Sequence, residues 1–282
     1  MKLHQIPVQI FNLDHTLRCG QVFRWQKKGD EWIGVVKNSV ILAKQEDEIL
    51  TVKSDLAAEE IASYFRLDDD MEKVYGQIGK DKLMKEAIAR YRGLRLVSQD
   101  PWECLISYVC SRNAPIKKIK SVIFNLSKNF GNVIKSDDHI EYTFPEPDVI
   151  AGTTLDKLGM CGFRYGKKQA REILEIAKLV SGNNFDLERL KKHSYLDAKE
   201  ELMNLRGVGH KVADCVLLFS LDKLEAFPID VHMRRLMRRE YFQDKNVSDD
   251  KIRELAREYF GKYAGYAQEY LFYHERSYGG GK

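Results

Sequence analysis

The stretch KEELMNLRGVGHKVADCVLLFSLDKLEAFPIDVHMRR sets a lysine and an aspartate at the starts of two successive helices. An apolar helix runs to Leu205, the turn Gly207-Val208-Gly209 follows, and a second helix begins near His210, so that residues of about 197–222 read as a helix-hairpin-helix. The glycines allow a tight turn whose exposed amides, at the N-terminus of the second helix, can hold a phosphate with no side chain in the way. Lys211 lies in the first turn of that helix, where the positive end of the helix dipole works against a protonated amine. A neutral lysine is a nucleophile. Asp230 follows Pro228-Ile229 and precedes an apolar-periodic helix, which makes it an N-cap whose carboxylate could face the same cleft. Taken singly, each feature has a plain alternative: an ordinary helix connection, a surface lysine, a simple cap.

The elements that must position these residues fall into two groups, and the fold class they imply is α+β. Phe23 and Trp25 alternate onto one face, and EWIGVV, SVILAK and ILTVKS follow at short spacing, which predicts an antiparallel meander. From Asp55 the periodicity becomes helical, in AAEEIASYF and MEKVYGQI. Ser98-Gln99-Asp100-Pro101 is a helix start, with Asp100 at the cap, and places a boundary near Val97 between an α+β domain (1–97) and a helical region (98–282). Beyond the boundary the pattern predicts helices only, over 116–129, 167–181, 197–204, 210–222, 230–241, 249–260 and 265–277.

At 282 residues the chain can bury real cores. No apolar run reaches membrane-spanning length, and the opening residues have neither a basic n-region nor an apolar h-region, so a cytoplasmic protein with no membrane partner is expected. The five cysteines form no CxxC pair, which suits reduced thiols and provides no metal or cluster cage. Cys104 and Cys110, on an apolar helix, read as small buried hydrophobes. The net charge is only +4, but the charge is segregated. Acids crowd residues 46–72, whereas Arg112, Lys117, Lys118 and Lys120, then Arg164, Lys167, Lys168 and Arg171, then Arg234, Arg235, Arg238 and Arg239 form basic clusters that could follow a phosphate backbone.

LRGVGHKVADC followed by FPIDVHM, together with CGQVFRW, QDPWECLISYVCSRN and YAGYAQEYLF in that order along the chain, resembles the helix-hairpin-helix DNA glycosylases with a Gly/Pro-rich loop and catalytic Asp, and within them the 8-oxoguanine DNA glycosylase/lyases. The resemblance covers nearly the whole chain and implies excision of 8-oxoguanine from duplex DNA by base flipping, without a catalytic cofactor. It makes Lys211 the amine that attacks the sugar and forms a Schiff base, and Asp230 its acidic partner. Gly20 would accept the extra N7 hydrogen of the oxidised base through its carbonyl. Gln268 would read the Watson-Crick edge, assisted by the Pro228 carbonyl, with the base between Phe272 and Cys215.

The same resemblance implies that Asn113 fills the hole left by the flipped base, that Phe163 is the wedge and Arg164 an opposite-base reader, and that His232 lies near the phosphate 5′ to the lesion. Two positions depart from the mammalian type: Phe163 replaces a wedge tyrosine, and Lys118 replaces a second cytosine-reading arginine. A structural cation, monovalent or divalent, would bind the hairpin through the carbonyls of Met203, Leu205 and Val208. Among alternatives, the endonuclease III and adenine glycosylase branch carries a four-cysteine cluster near its C-terminal end, and no cysteine follows Cys215 here. The alkylation-repair branch lacks the lysine. A non-catalytic hairpin module would need neither Lys211 nor Asp230. Duplex DNA is the one partner implied, and nothing in the sequence requires more than a monomer.

Overall fold

The computed structural model describes residues 1–136 and 139–278. Its first layer is an antiparallel sheet of β1 (Lys2–Pro7), β2 (Trp25–Lys28), β3 (Glu31–Val36), β4 (Ser39–Glu46) and β5 (Ile49–Ser54), in the order β1-β5-β4-β3-β2. The helix α1 (Leu13–Arg18) connects β1 to β2, and α2 (Ala58–Tyr64) follows the sheet. Gly34 faces Trp25 across the ladder, and a Cβ there would meet the indole at 2.4 Å. The glycine thus seats the buried Trp25, whose Nε1 donates to the Tyr64 hydroxyl at 2.8 Å.

The helices α3 (Met71–Ile78) and α4 (Lys82–Arg90) precede the expected boundary, and α5 (Pro101–Cys110) opens the second region with Asp100 capping and Pro101 at its first position. After it come α6 (Ile116–Phe130), α7 (Pro147–Ala151), α8 (Leu155–Gly159), α9 (Lys167–Ser181), α10 (Tyr195–Met203), α11 (His210–Ser220), α12 (Val231–Tyr241), α13 (Asp249–Phe260) and α14 (Ala264–Tyr278). Among the described residues, no helix is long and apolar enough to cross a membrane.

Two expectations are corrected. The region after Val97 is not purely helical: β6 (Val133–Ser136) and β7 (His139–Tyr142) form a hairpin, with strands too short for their alternation to register against the neighbouring helices. Phe23 lies outside β2 and does not share Trp25's face; its ring meets that of Tyr108 edge-on at 5.7 Å, in the helical core. The core clusters do not follow the line at Val97. The apolar faces of α3 and α4 join the large cluster built by α5 to α14, while residues of the sheet, α2 and Val97 make a separate cluster. Amphipathic helices go where an apolar partner is available, and α14 supplies it.

Gln21 stitches the two clusters together. Its Nε2 donates to the carbonyls of Thr16 (2.9 Å) and Arg95 (2.8 Å), its Oε1 accepts from the Val97 amide (2.9 Å), and its own carbonyl accepts from the Tyr108 hydroxyl (3.1 Å).

Candidate active site

The hairpin is held by one buried carboxylate. Asp214, on α11, accepts from the Tyr195 hydroxyl at 2.7 Å and pairs with Lys199 at 2.7 Å and Arg253 at 2.8 Å, tying α10 and α13 to α11. A buried carboxylate is tolerated only when paired and fully hydrogen-bonded, and here both oxygens are satisfied. Gly207 closes the turn with φ +87°, and a Cβ would stand 2.9 Å from Glu172 Oε2 and 3.2 Å from Arg112 Nη1, so backbone and space both demand glycine. Gly209 differs. It is the N-cap of α11, in extended backbone, with no side-chain cap and nothing within 4 Å of a Cβ. Free space and uncapped amides leave that helix end open to an anion.

Lys211 therefore leaves the hairpin in the first turn of α11 and points along α5. Its Nζ donates to Ser111 Oγ at 2.9 Å and lies 4.8 Å from the centre of the Tyr108 ring. Tyr108 is in turn stacked on Phe219 of α11 at 5.5 Å, which locks the two helices in register. Asp230 caps α12, its Oδ1 accepting from the amides of His232 (2.9 Å) and Met233 (2.8 Å). The cap engages one carboxylate oxygen, and the group also borders the cleft that holds Lys211.

That cleft encloses about 640 Å³, within the range of small-molecule sites, and brings together Gly20, Asn113, Gly209, Lys211, Cys215, Pro228, Asp230, His232, Gln268 and Phe272. Gln268 is 4% exposed, and its Oε1 has no hydrogen-bond partner among the described residues. An orphaned acceptor in a pocket wall is costly unless a ligand completes it. Burial pushes the Cys215 thiol up to about 12, so this side chain is a neutral, polarisable wall and not a second nucleophile. Asn113 stands at the rim with φ +51°, the left-handed region that asparagine tolerates better than most residues.

The remaining residues lie elsewhere. Phe163, the expected wedge, is only 6% exposed and packs into the helical core in this conformation. The exposed large apolar side chains of the same loop are Met160 (80%) and Tyr165 (45%). Lys118 lies outside the cleft lining, with its Nζ 3.5 Å from where a Gly162 Cβ would be, against the loop that carries the exposed Arg164. The basic clusters are largely consumed by the fold. Arg112 pairs with Glu172, Lys120 donates to the Trp25 carbonyl, Arg234 grips Asp249 with two hydrogen bonds, and Arg239 bridges Glu240 and Glu275. Lys117, Arg164, Lys168, Arg171 and Arg235 keep exposed charges.

Sequence reasoning missed Ser111, Tyr108 and Glu269. The first two have no chemical signature beyond their helix. Glu269 had one: it is the single charge within YAGYAQEYLF, it is 2% exposed, and it lines the cleft. Burial raises its carboxyl to about 7, while the Cys19 thiol and the Arg276 and Lys211 cations oppose the rise and Asp230 adds to it.

Residues 4–105 match the N-terminal domain of 8-oxoguanine DNA glycosylases, and residues 106–262 match the HhH-GPD superfamily of base excision DNA repair proteins. The chain belongs to the HhH-GPD superfamily. It is 31% identical to a probable N-glycosylase/DNA lyase of Methanothermobacter thermautotrophicus, over 96% of each chain. It is 30% identical to the N-glycosylase/DNA lyase of Saccharomyces cerevisiae, over 92% of this chain and 82% of that one. Among solved structures, MBOgg1 in complex with a low-affinity DNA ligand aligns with a TM-score of 0.91 at 33% identity, over 99% of this chain and 100% of that one. The Clostridium acetobutylicum 8-oxoguanine glycosylase/lyase, bound to duplex DNA with cytosine opposite 8-oxoguanine, aligns with a TM-score of 0.89 at 32% identity, over 95% and 92%. In this HhH-GPD chain the antiparallel sheet and the helical region carrying the hairpin are the two parts matched.

Proposed function

We propose that the chain is a bifunctional DNA glycosylase/lyase that excises 8-oxoguanine from duplex DNA, acting as a monomer. The observation that carries this reading is the convergence of Lys211, Asp230, Gly20, Gln268, Phe272 and Cys215 on one cleft from four separated stretches of sequence. Its relatives named N-glycosylase/DNA lyase support both halves of the activity.

The flipped nucleotide enters between Phe272 and Cys215, with its edge toward the orphaned Gln268 oxygen and its N7 hydrogen toward the Gly20 carbonyl. Lys211, as free amine, attacks C1′; the C1′–N9 bond breaks, and its electron pair leaves with the base, which takes up a proton. Asp230 stabilises the positive charge that develops on the sugar. Ring opening and proton loss then give the imine, and β-elimination from it cleaves the strand 3′ to the site. The Gly209 amides and the exposed cations hold phosphates, with His232 at the cleft mouth near the phosphate 5′ to the lesion. Asn113 at the rim fills the vacated position in the stack.

The hairpin residues fit a hard cation. Among the described residues the Met203 and Val208 carbonyls accept no backbone hydrogen bond from the turn, and the Leu205 carbonyl accepts one, from the Val208 amide. All three keep lone pairs for a structural ion, which would fix the turn that presents the amides.

The test is a panel of duplexes with 8-oxoguanine opposite each of the four bases, read as base release, nicking and borohydride trapping. We expect trapping in the wild type and none in Lys211→Gln. Lys118, on α6, lies against the loop that carries Arg164, and an ammonium cannot supply the two fixed hydrogen bonds of a guanidinium. Cytosine preference is accordingly relaxed, and Lys118→Arg sharpens it. A wild type that rejects adenine and thymine as a strict cytosine reader does would remove Lys118 from selectivity.

A further inference from the structure

The helix α14 carries a stripe, Gln268, Phe272 and Arg276, in which the first two line the cleft and the third reaches back to the other end of the chain. Arg276 Nη1 donates to the Cys19 carbonyl at 2.5 Å, and its guanidinium carbon lies 5.4 Å from the centre of the Phe272 ring. The same Nη1 stands only 2.4 Å from where a Cβ on Gly20 would be. Gly20 itself has φ +116°, open only to glycine. Two turns earlier on α14, the buried Glu269 carboxyl lies beside the thiol of the same Cys19, whose Sγ donates to the Thr16 carbonyl at 3.2 Å. Cys19 is therefore held at its carbonyl by Arg276, with Glu269 of the same helix beside its sulfur. On the far side of Gly20, the Gln21 carbonyl accepts from the Tyr108 hydroxyl at 3.1 Å and from Gln99 Nε2 at 3.0 Å.

A glycine with no side chain has no anchor of its own, so the direction of its carbonyl is set by what holds its neighbours. We propose that Arg276 is a positioning residue for lesion selection: by fixing the Cys19 carbonyl it holds the Gly20 peptide so that the Gly20 carbonyl faces the N7 edge of the base. This rests on the reading that Gly20 tells oxidised from normal guanine. It adds a residue that touches neither the sugar nor the reacting bond. Through its guanidinium the wall that stacks the base, Phe272, and the backbone that reads it become one unit.

The experiment separates the inference from the reading beneath it. Binding of duplexes with 8-oxoguanine or guanine opposite cytosine is measured in a Lys211→Gln background with and without Arg276→Ala. Trapping on a preformed abasic duplex, which holds no base to recognise, is measured with Lys211 intact. We expect Arg276→Ala to cut the affinity ratio for oxidised over normal guanine about tenfold, a charge-assisted hydrogen bond's worth, and to exceed any change in abasic trapping by a similar factor. Arg276→Lys, which keeps one donor in reach of the Cys19 carbonyl, should recover much of the ratio. An unaltered ratio in a variant that still traps abasic DNA overturns the proposal, as does an equal loss on all three duplexes, which would make Arg276 a phosphate contact. Absence of trapping in the wild type would instead overturn the lysine mechanism.

Discussion

The Lys211 ammonium donates to Ser111 Oγ at 2.9 Å, and the Ser111 hydroxyl donates onward to the Tyr108 carbonyl at 2.8 Å. The serine proton is thus committed to α5, and its lone pair faces the amine. Ser111→Ala should release Lys211 from a fixed direction and lower single-turnover excision about tenfold, on the scale of ~1–2 kcal/mol for a hydrogen bond to a charged group. Trapping on abasic DNA should fall in parallel, because orientation of the amine and not base recognition is lost. A variant as fast as the wild type would show that the contact belongs to the free enzyme alone.

Asp230→Asn separates cap from catalyst. An asparagine oxygen can accept from the His232 and Met233 amides as Asp230 Oδ1 does, so α12 keeps its start. We expect an unchanged thermal midpoint and excision reduced ~100-fold or more, the loss found when a preorganised electrostatic partner is removed. Full activity in the folded variant would exclude Asp230 from the mechanism.

The two hairpin glycines should fail differently. Gly207→Ala forces a side chain into a left-handed residue 2.9 Å from Glu172, and should destabilise the free protein. A Cβ at Gly209 meets nothing within 4 Å, and Gly209→Val should leave the free protein folded. It should nevertheless weaken binding to damaged and undamaged duplex alike, since close approach of the backbone to a phosphate is lost. Weakened binding to damaged duplex only would assign Gly209 to the base pocket.

Glu269 predicts a pH dependence of stability. Its folded value of about 7 lies above the ordinary 4.5, because burial disfavours the ionised form; the Cys19 thiol, Arg276 and Lys211 offset this, and Asp230 reinforces it. Between those two values the folded chain keeps a proton that the unfolded chain has lost. The contribution of this group to stability is therefore neutral below pH 4.5, declines as pH rises toward 7, and is fully unfavourable above it, by ~3 kcal/mol. Denaturant midpoints of wild type and Glu269→Gln, taken from pH 5 to pH 8, should diverge in favour of the variant at the alkaline end. Parallel curves would mean that the carboxyl is not penalised.

Strands β2 to β5, the hairpin and the capping role of Asp230 were legible in the sequence because each rests on local rules: alternation, a glycine turn, a cap before an apolar period; β1, which pairs with β5 from far back in the chain, was not read. The membership of the cleft was legible only through separated motifs taken together, since Gly20 and Phe272 have no local signature. The orientation of Phe163 was not legible, because a phenylalanine in a loop can turn inward or outward and only the surrounding apolar side chains decide. The β6-β7 hairpin escaped for want of length. The basic clusters misled because sequence spacing shows charge but not its partner: Asp249 and Glu275, far along the chain, neutralise arginines that looked available.

The pocket is assembled from the two ends of the molecule, with Gly20 near the start and Gln268 and Phe272 on the last described helix. During synthesis on the ribosome, the hairpin with Lys211 emerges well before α14. Until α14 is made, α3, α4 and α12 lack the helix they pack against, because Tyr266, Ala267, Tyr270 and Leu271 are buried in the helical core. The last described helix is thus both a wall of the cleft and a part of the core, and a truncation before residue 264 should cost the fold together with the pocket.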